Sequence, residues 1–226
     1  MWQALRSELH PLGVEVVTVA LDVDSEAARP SIEAAAPEHP SLIDRSHRVD
    51  ELFGIVNVPN SVWIDEEGTI VRPVESSNVQ PSAFETGEMK AEDFPPEMYE
   101  AIRRIKRDPG AYVAALRDWA AKGADSDWAL EPHEVVARST PRSADSARAA
   151  AHFELGEHLH SAGEVESAQH HWREAHRLAP ENWTYKRQAW QLVDPVRQGR
   201  TAVYDGSWVD DVLASGPENY HRPLLP

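Results

Sequence analysis

The residue types that carry most enzymatic chemistry are absent from this chain or lack catalytic spacing. None of the 226 residues is cysteine, and three are methionine. The thiolate is the nucleophile in disulfide exchange, and a thioether cannot form a disulfide. The sequence also contains no Gly-rich phosphate loop, no Gly-x-Ser-x-Gly and no His-Glu-x-x-His. We therefore expect no catalytic residue and no cofactor in this chain, which cannot perform thiol–disulfide chemistry by itself.

Histidines are the remaining candidates for chemistry. Six of the 11 lie between residues 149 and 182, namely His152, His158, His160, His170, His171 and His176. Side chains two or five residues apart on a helix point in different directions, which is poor spacing for a shared metal ion. A site shared by two helices is conceivable, but solvated surface histidines are the simpler interpretation. We expect no metal site.

Charge and hydropathy exclude several classes of partner. Lys plus Arg is 22 and Asp plus Glu is 38, so the formal net charge is −16. Phosphate backbones and anionic membrane surfaces would repel such a chain, so nucleic acid and membrane are not expected partners. The sequence shows no run of roughly 20 apolar residues and no signal-like start. The expected location is cytoplasmic.

The order of elements in the first half predicts an α/β fold. A short helix over residues 2–10 precedes a strand from Val14 to Leu21. A helix over 26–36 follows, with Ser25 as its cap and Pro30 in its interior, and then a short strand near 41–43. Strand 61–65, the turn Glu66-Glu67-Gly68 and strand 69–74 form a predicted hairpin.

The segment from Phe53 to Asp65, FGIVNVPNSVWID, is the most informative in this half. It resembles the thioredoxin-like superfamily, in the branch of the redoxins and TlpA/ResA-type proteins, over residues 1 to about 120. The resemblance implies that Pro59 follows a cis peptide bond and that Val58 pairs with an extended substrate, so Val58, Pro59 and Asn60 are the candidate substrate- or partner-binding residues. The alternative is a proline in an ordinary tight turn before a strand.

The chain departs from that family where the chemistry is located. The family carries a Cys-x-x-Cys after its first core strand, at the start of its first long helix, whereas this sequence begins inside that helix. Two explanations are open. The chain is a fragment of a longer redox protein, or it is a member that lost its chemistry and kept a binding role. The first is slightly favoured, because a sheet without a core strand exposes an edge.

Residues 149–182 resemble one tetratricopeptide repeat of 34 residues. The matching positions are Leu155, Gly156, Leu159, Gly163, Ala168, Trp172, Ala175 and Pro180. Residues 183–193 would form the capping helix, while Phe153, Glu157 and His160 would face the groove that longer arrays use for peptides. One repeat is too short for such a groove, so we expect the hairpin to pack on the first domain, with partner docking as the alternative.

These observations predict a thioredoxin-like sheet with flanking helices, followed by an all-α helical hairpin of tetratricopeptide type. The predicted divisions are 1–122 for the first domain, 123–146 for a linker, 147–195 for the hairpin and its cap, and 196–226 for a tail that packs on the body. The resemblance implies a thiol–disulfide oxidoreductase or peroxidase-like protein without its cysteines. The alternative function is a non-enzymatic module that binds a protein or peptide. The sequence leaves enzymatic activity and oligomeric state open.

Overall fold

The computed structural model describes residues 2–194, 207–221 and 224, and within them it shows a mixed α/β architecture. The helices are α1 (Trp2–Leu9), α2 (Ser25–Ala35), α3 (Arg48–Phe53), α4 (Pro96–Arg104), α5 (Pro109–Lys122), α6 (Pro132–Arg138), α7 (Ala144–Ser161), α8 (Val165–Leu178), α9 (Trp183–Val193) and α10 (Trp208–Ser215). The strands are β1 (Thr18–Leu21), β2 (Ser41–Asp44), β3 (Asn60–Ile64) and β4 (Ile70–Ser76). None of the helices in these residues is long and apolar enough to cross a membrane.

Strands β1 and β2 form a parallel pair in which Thr18 lies opposite Ser41. The predicted strand from Val14 was too long. Thr18 is the first residue whose amide donates a hydrogen bond on the β2 side, to the Pro40 carbonyl oxygen at 3.0 Å. The predicted cap of α2 was also wrong. Asp24 occupies the N-cap and accepts a hydrogen bond from the Glu26 amide, and Pro30 lies inside the helix.

Strands β3 and β4 form the antiparallel hairpin that the sequence predicts, joined by a turn at Gly68. The four strands do not join into the single sheet expected of the resemblance. They form two separate two-stranded sheets, because no described strand lies between β1 and β3 to connect them. The α/β class is therefore confirmed, with a divided sheet.

Buried Arg72 fastens the hairpin to the segment that follows α5. Its guanidinium donates to both carboxylate oxygens of Glu75, at 2.7 and 3.0 Å, and to the Trp128 carbonyl oxygen at 2.9 Å. The Leu130 amide donates to the Val71 carbonyl oxygen at 2.9 Å, and Leu130 is buried. The interpretation of 123–146 as a linker was therefore wrong: α6 packs against β4, and α7 begins within that segment.

Helices α7 and α8 form the predicted helical hairpin around Trp172, whose side chain is fully buried. A Cβ atom at Gly156 would lie 2.6 Å from the Trp172 ring, so only glycine lets the indole fit against α7. Ala168 and Ala175 are also fully buried. Leu155 was expected to face Trp172, but it is 42% exposed, because its neighbour Gly156 makes that contact and one residue turns the helix by about 100°.

The described residues of the C-terminal tail pack against the helical part of the chain. Val212 of α10 is fully buried, and Tyr220 is 5% exposed in the cluster that also contains Trp172 and Trp190. The rest of the tail prediction concerns residues 196–206, 222, 223, 225 and 226, which lie outside the described residues.

Replacement of Trp172 by alanine tests the hairpin core. Truncation of a fully buried aromatic side chain costs about 3–5 kcal/mol, so the free energy of unfolding should fall by that amount in a denaturant titration. Val136→Ala is the control, because Val136 is 73% exposed and its truncation should leave the midpoint nearly unchanged. An unchanged midpoint for Trp172→Ala would contradict the packing described here.

Candidate functional site

A groove of about 1390 Å³ lies between the two sheets. Residues 14–19, which lead into β1 and include its first two residues, line it, and so do residues 58–64, which include all of β3. All three predicted binding residues, Val58, Pro59 and Asn60, belong to this lining. The Val58–Pro59 peptide bond is cis, as predicted. These three consecutive residues therefore lie on a groove that residues of β1 and β3 also line.

Strand β3 presents an open backbone edge to the groove. The Pro59 carbonyl oxygen accepts a hydrogen bond from the Ser77 amide, and the Asp65 amide donates to the Thr69 carbonyl oxygen. These bonds indicate that the backbone N–H and C=O groups of the odd-numbered residues from 59 to 65 face β4. Backbone groups alternate in direction along a strand, so those of Asn60, Val62 and Ile64 point away from β4. No strand among the described residues pairs with this edge.

Strand β1 presents a second open edge. The amides of Thr18 and Asp22 donate to carbonyl oxygens on the β2 side, at 3.0 and 3.3 Å. The backbone groups of Val17, Val19 and Leu21 therefore point away from β2, and all three residues line the groove. Within the described residues, β1 has no strand partner other than β2. The groove is thus bounded by two strands that each lack one neighbour.

Apolar and aromatic side chains line the interior of the groove. Trp63 is 3% exposed and stacks on Trp119 with ring centroids 5.0 Å apart. The Trp63 indole donates to the Tyr112 hydroxyl at 3.0 Å, and that hydroxyl lies 2.6 Å from the Ser61 hydroxyl. Burial raises the pKa of Tyr112, so the phenol stays protonated. Because these polar groups bind one another, the interior suits an apolar ligand surface.

The charged residues of the lining are all acidic, namely Glu15, Asp65, Glu66, Glu67 and Glu131. Arg6, which does not line the groove, donates to Glu15 at 2.9 Å and lowers the pKa of that carboxyl to about 2. No lysine, arginine or histidine contributes to the lining. A ligand that enters this groove therefore meets a negative potential.

A buried polar cluster joins α7 and α9 to α3, which borders the groove through Val49 and Phe53. The His47 Nδ1 atom lies 2.8 Å from the Asp50 carboxylate, which also accepts a 2.8 Å hydrogen bond from Thr184. The His47 Nε2 atom lies 3.3 Å from Gln188 Oε1 and 4.0 Å from Glu157 Oε1. The side chains of His47 and Asp50 are 3% and 1% exposed. Helices α7 and α9 thus contribute three polar partners to one turn of the first half, namely Glu157, Thr184 and Gln188.

The same contact region holds the chain immediately before the predicted binding residues. The Trp183 amide of α9 donates to the Val56 carbonyl oxygen at 2.6 Å, and the Asn57 amide group donates to the Tyr220 carbonyl oxygen at 2.8 Å. Phe153 stacks on Tyr185 with ring centroids 4.2 Å apart. The expectation that the helical hairpin packs on the first half is confirmed by these contacts. Phe153 and Glu157 therefore face protein rather than a peptide-binding groove.

Burial sets the protonation of this cluster. Burial raises the pKa of Glu157 to about 8, although the His47 charge opposes the shift. For His47, burial alone lowers the pKa, but the hydrogen bond and charge of Asp50 and the charge of Glu157 outweigh it and raise the pKa. At neutral pH Glu157 is therefore mainly protonated, beside the hydrogen-bonded side chains of His47 and Asp50.

The sequence did not predict this polar cluster. His47 and Asp50 have the spacing of neighbours on a helical turn, which is a weak signal in the sequence. Thr184 is 134 residues from Asp50, and Gln188 is 141 residues from His47, so no local pattern connects them. On the other side of the hairpin, His152 and His171 lie 2.9 Å apart through their Nδ1 atoms. Within the described residues, no group of three or more His, Asp or Glu side chains is placed to hold a metal ion.

The raised pKa of Glu157 predicts a stability that depends on pH. A carboxyl whose pKa is near 8 in the folded state and near 4.5 when unfolded is more protonated in the folded protein, so stability falls as pH rises from about 5 to about 8. Between pH 5 and pH 8, the free energy of unfolding of Glu157→Gln should therefore fall by about 2–4 kcal/mol less than that of the unsubstituted chain, since each pKa unit corresponds to about 1.4 kcal/mol.

Urea titrations of the Glu157→Gln variant and the unsubstituted chain at pH 5, 6, 7 and 8 provide the measurement. Glu166→Gln is the control, because Glu166 is exposed in the first turn of α8, does not contribute to the shift of Glu157, and its neutralisation should leave the pH profile unchanged. Parallel pH profiles for Glu157→Gln and the unsubstituted chain would contradict the assignment of a neutral, buried Glu157.

Comparison with known proteins provides no relative for this site. No protein-family model, curated protein or solved structure matches the chain. The groove and the polar cluster are therefore interpreted from their own residues and geometry.

Proposed function

We propose that this protein is a thioredoxin-like binding module without thiol chemistry of its own. Its surface around Val58, Pro59 and Asn60 binds an extended protein segment by adding a strand to β3. The open edge of β3 above an apolar groove is the observation that carries this proposal. Strand addition to an exposed sheet edge is a common mode of peptide recognition, in which backbone hydrogen bonds give affinity and side-chain pockets give specificity.

The arrangement of elements supports the thioredoxin-like interpretation. The parallel pair β1 and β2 precedes an antiparallel hairpin, and Pro59 lies directly before the first strand of that hairpin. The helical hairpin of α7 and α8 supports the tetratricopeptide-type interpretation, because small residues at Gly156 and Ala168 permit close packing around Trp172. In this account the hairpin supports the binding surface through α9 and does not bind a peptide in a groove of its own.

Thiol–disulfide exchange is the second candidate function. The resemblance to the redoxins favours it, and the groove lies where the resemblance implies a core strand followed by the cysteines. This chain supplies no sulfur nucleophile, so the activity would require cysteines from a longer polypeptide or from a bound strand.

The purified 226-residue chain should not accelerate the reduction of a disulfide substrate by dithiothreitol. The physical reason is the absence of a thiolate that could form a mixed disulfide. The assay compares turnover with protein and with buffer alone, after mass spectrometry has shown that the preparation is free of other redoxins. Turnover clearly above the buffer rate would contradict the non-catalytic proposal.

A synthetic peptide tests strand addition directly. The probe is Lys-Lys-Thr-Val-Thr-Val-Thr-Val-Lys-Lys, which has an alternating core and soluble ends. Trp63 and Trp119 line the groove, so binding should change tryptophan fluorescence and give a saturable titration. The control peptide carries proline at the central valine, which removes one backbone donor and should weaken binding at least about tenfold.

Two outcomes would contradict the proposal. One is the absence of saturable binding by the alternating peptide at millimolar concentration. The other is equal binding of the alternating and proline peptides, because contacts that ignore the backbone are not strand addition. Saturable binding that is lost with the proline peptide would support it.

A further inference from the structure

We propose that His152 of α7 and His171 of α8 form a two-histidine site for a divalent transition-metal ion, of the Ni²⁺ or Cu²⁺ class, and that the bound ion links the two helices. The sequence prediction of no metal site considered the spacing of histidines along one helix, whereas this site is shared between two helices. Neither histidine lines the groove, so the inference is independent of the proposed function.

The two imidazole rings meet across the helical hairpin. Their Nδ1 atoms are 2.9 Å apart, and the ring centroids are 5.1 Å apart. Imidazole nitrogens bind such ions at about 2.0–2.1 Å, so two nitrogens that subtend 90° at one ion are about 2.9 Å apart. The observed separation therefore matches two neighbouring positions of a square-planar or octahedral ion. The torsion that rotates a histidine ring is soft, so ring rotation can direct both lone pairs at one ion.

The same Nδ1 separation also fits a hydrogen bond between two neutral rings, in which one Nδ1 carries the shared proton. A metal ion uses the lone pairs of both Nδ1 atoms. The proton of the donor ring then moves through solvent to its own Nε2 atom, so binding to the neutral pair releases no net proton. The ion replaces one hydrogen bond with two metal–nitrogen bonds.

The core of the hairpin holds the two histidines in place. His152 lies one helical turn before Gly156, and His171 directly precedes Trp172. Trp172 is fully buried, and its ring lies so close to Gly156 that a Cβ atom there would clash. This contact fixes how α7 lies against α8. The two ligands therefore project from rigid elements, which is the condition for a precise binding site.

Both histidines are partly exposed, so an ion can reach them from solvent. Glu174 lies three residues after His171, but its carboxylate accepts hydrogen bonds from Arg177 at 2.9 and 3.1 Å. Across the part of the chain that the structure describes, His, Asp and Glu side chains form no group of three that could hold an ion. The site therefore provides two nitrogen ligands, and water takes the other positions.

The donor set selects the class of ion. Imidazole suits Cu²⁺, Ni²⁺ and Zn²⁺, whereas Mg²⁺ and Ca²⁺ prefer oxygen ligands. Structural Zn²⁺ sites have four ligands in a tetrahedral arrangement, in which two nitrogens lie about 3.3 Å apart, wider than in this pair. Ions that accept 90° angles and retain water ligands fit better. Among these, Cu²⁺ should bind more tightly than Ni²⁺.

Calorimetric titration of the 226-residue chain without an affinity tag tests the site, with Ni²⁺ as the probe at pH 7.5 in a buffer that does not chelate metals. We expect one saturable site. His152→Gln and His171→Gln should each weaken binding at least about tenfold, because each removes one of two ligands. His158→Gln is the matched control, because His158 is exposed on the same helix as His152 and should not affect the affinity.

Three results of this titration would overturn the site. The first is no saturable binding at millimolar Ni²⁺. The second is unchanged affinity in either His152→Gln or His171→Gln. The third is an equal loss in His158→Gln, because exposed histidines in general would then bind the ion. Mg²⁺ should give no such site, and an equal Mg²⁺ affinity would show that carboxylates of this acidic chain bind the ion. Circular dichroism first establishes that each variant is folded.

Electron paramagnetic resonance of the chain with one equivalent of Cu²⁺ counts the ligands directly. The spectrum should show hyperfine splitting from two nitrogens, and His152→Gln should lose one of them. Splitting that is identical in the variant and the unsubstituted chain would overturn the assignment of His152 as a ligand.

A urea titration tests the link between the helices. An ion that binds only the folded hairpin stabilises it, so saturating Ni²⁺ should raise the urea midpoint of the unsubstituted chain and of His158→Gln, but not that of His152→Gln. The absence of a rise in the unsubstituted chain would overturn the link, and so would an equal rise in His152→Gln.

Discussion

Backbone N–H and C=O groups need hydrogen-bond partners, and in this protein that requirement determines how the two sheets can be used. Each sheet has two strands, so each strand has one edge without a strand partner among the described residues. The open edges of β1 and β3 line one groove rather than opposite sides of the molecule. The edge of β3 beside the apolar lining of this groove is the one to which strand addition is proposed.

The helical part of the chain contributes to this site by positioning the segment that leads into it. Residues 54–59 connect α3 to β3, and the amide of Trp183 binds the Val56 carbonyl oxygen within this segment. The buried His47–Asp50 pair fixes α3 against Thr184 and Gln188 of α9. Packing of α9 therefore helps to hold the segment that leads into Val58 and Pro59. The neutral state of Glu157 favours this contact, since an ionised carboxylate there would be buried close to Asp50.

Local sequence patterns predicted the elements of the fold better than their assembly. The hairpin of β3 and β4, the cis bond before Pro59 and the burial of Trp172 follow from short motifs whose residues are close in the chain. The segment 123–146 was misinterpreted because its Pro and Ser content is typical of a linker. Its order comes from partners far away in sequence, such as Arg72 for the Trp128 carbonyl oxygen.

The candidate site was predictable in part for the same reason. Val58, Pro59 and Asn60 belong to one motif, so the sequence located that side of the groove. The other side is formed by Val17, Val19 and Leu21, and its role depends on which edge of β1 pairs with β2. A run of β-branched residues indicates a strand, but it does not show which neighbour is absent.

Amide hydrogen exchange of the unliganded protein, followed residue by residue by NMR, tests the central claim of two open edges most directly. The account predicts slow exchange for the amides of Thr18 and Ala20, which face β2, and fast exchange for those of Val17 and Val19. It predicts the same contrast in β3, with a protected Trp63 amide and unprotected Val62 and Ile64 amides. Protection of Val19 and Val62 comparable to that of Ala20 and Trp63 would show that the edges are already paired, and it would contradict the account.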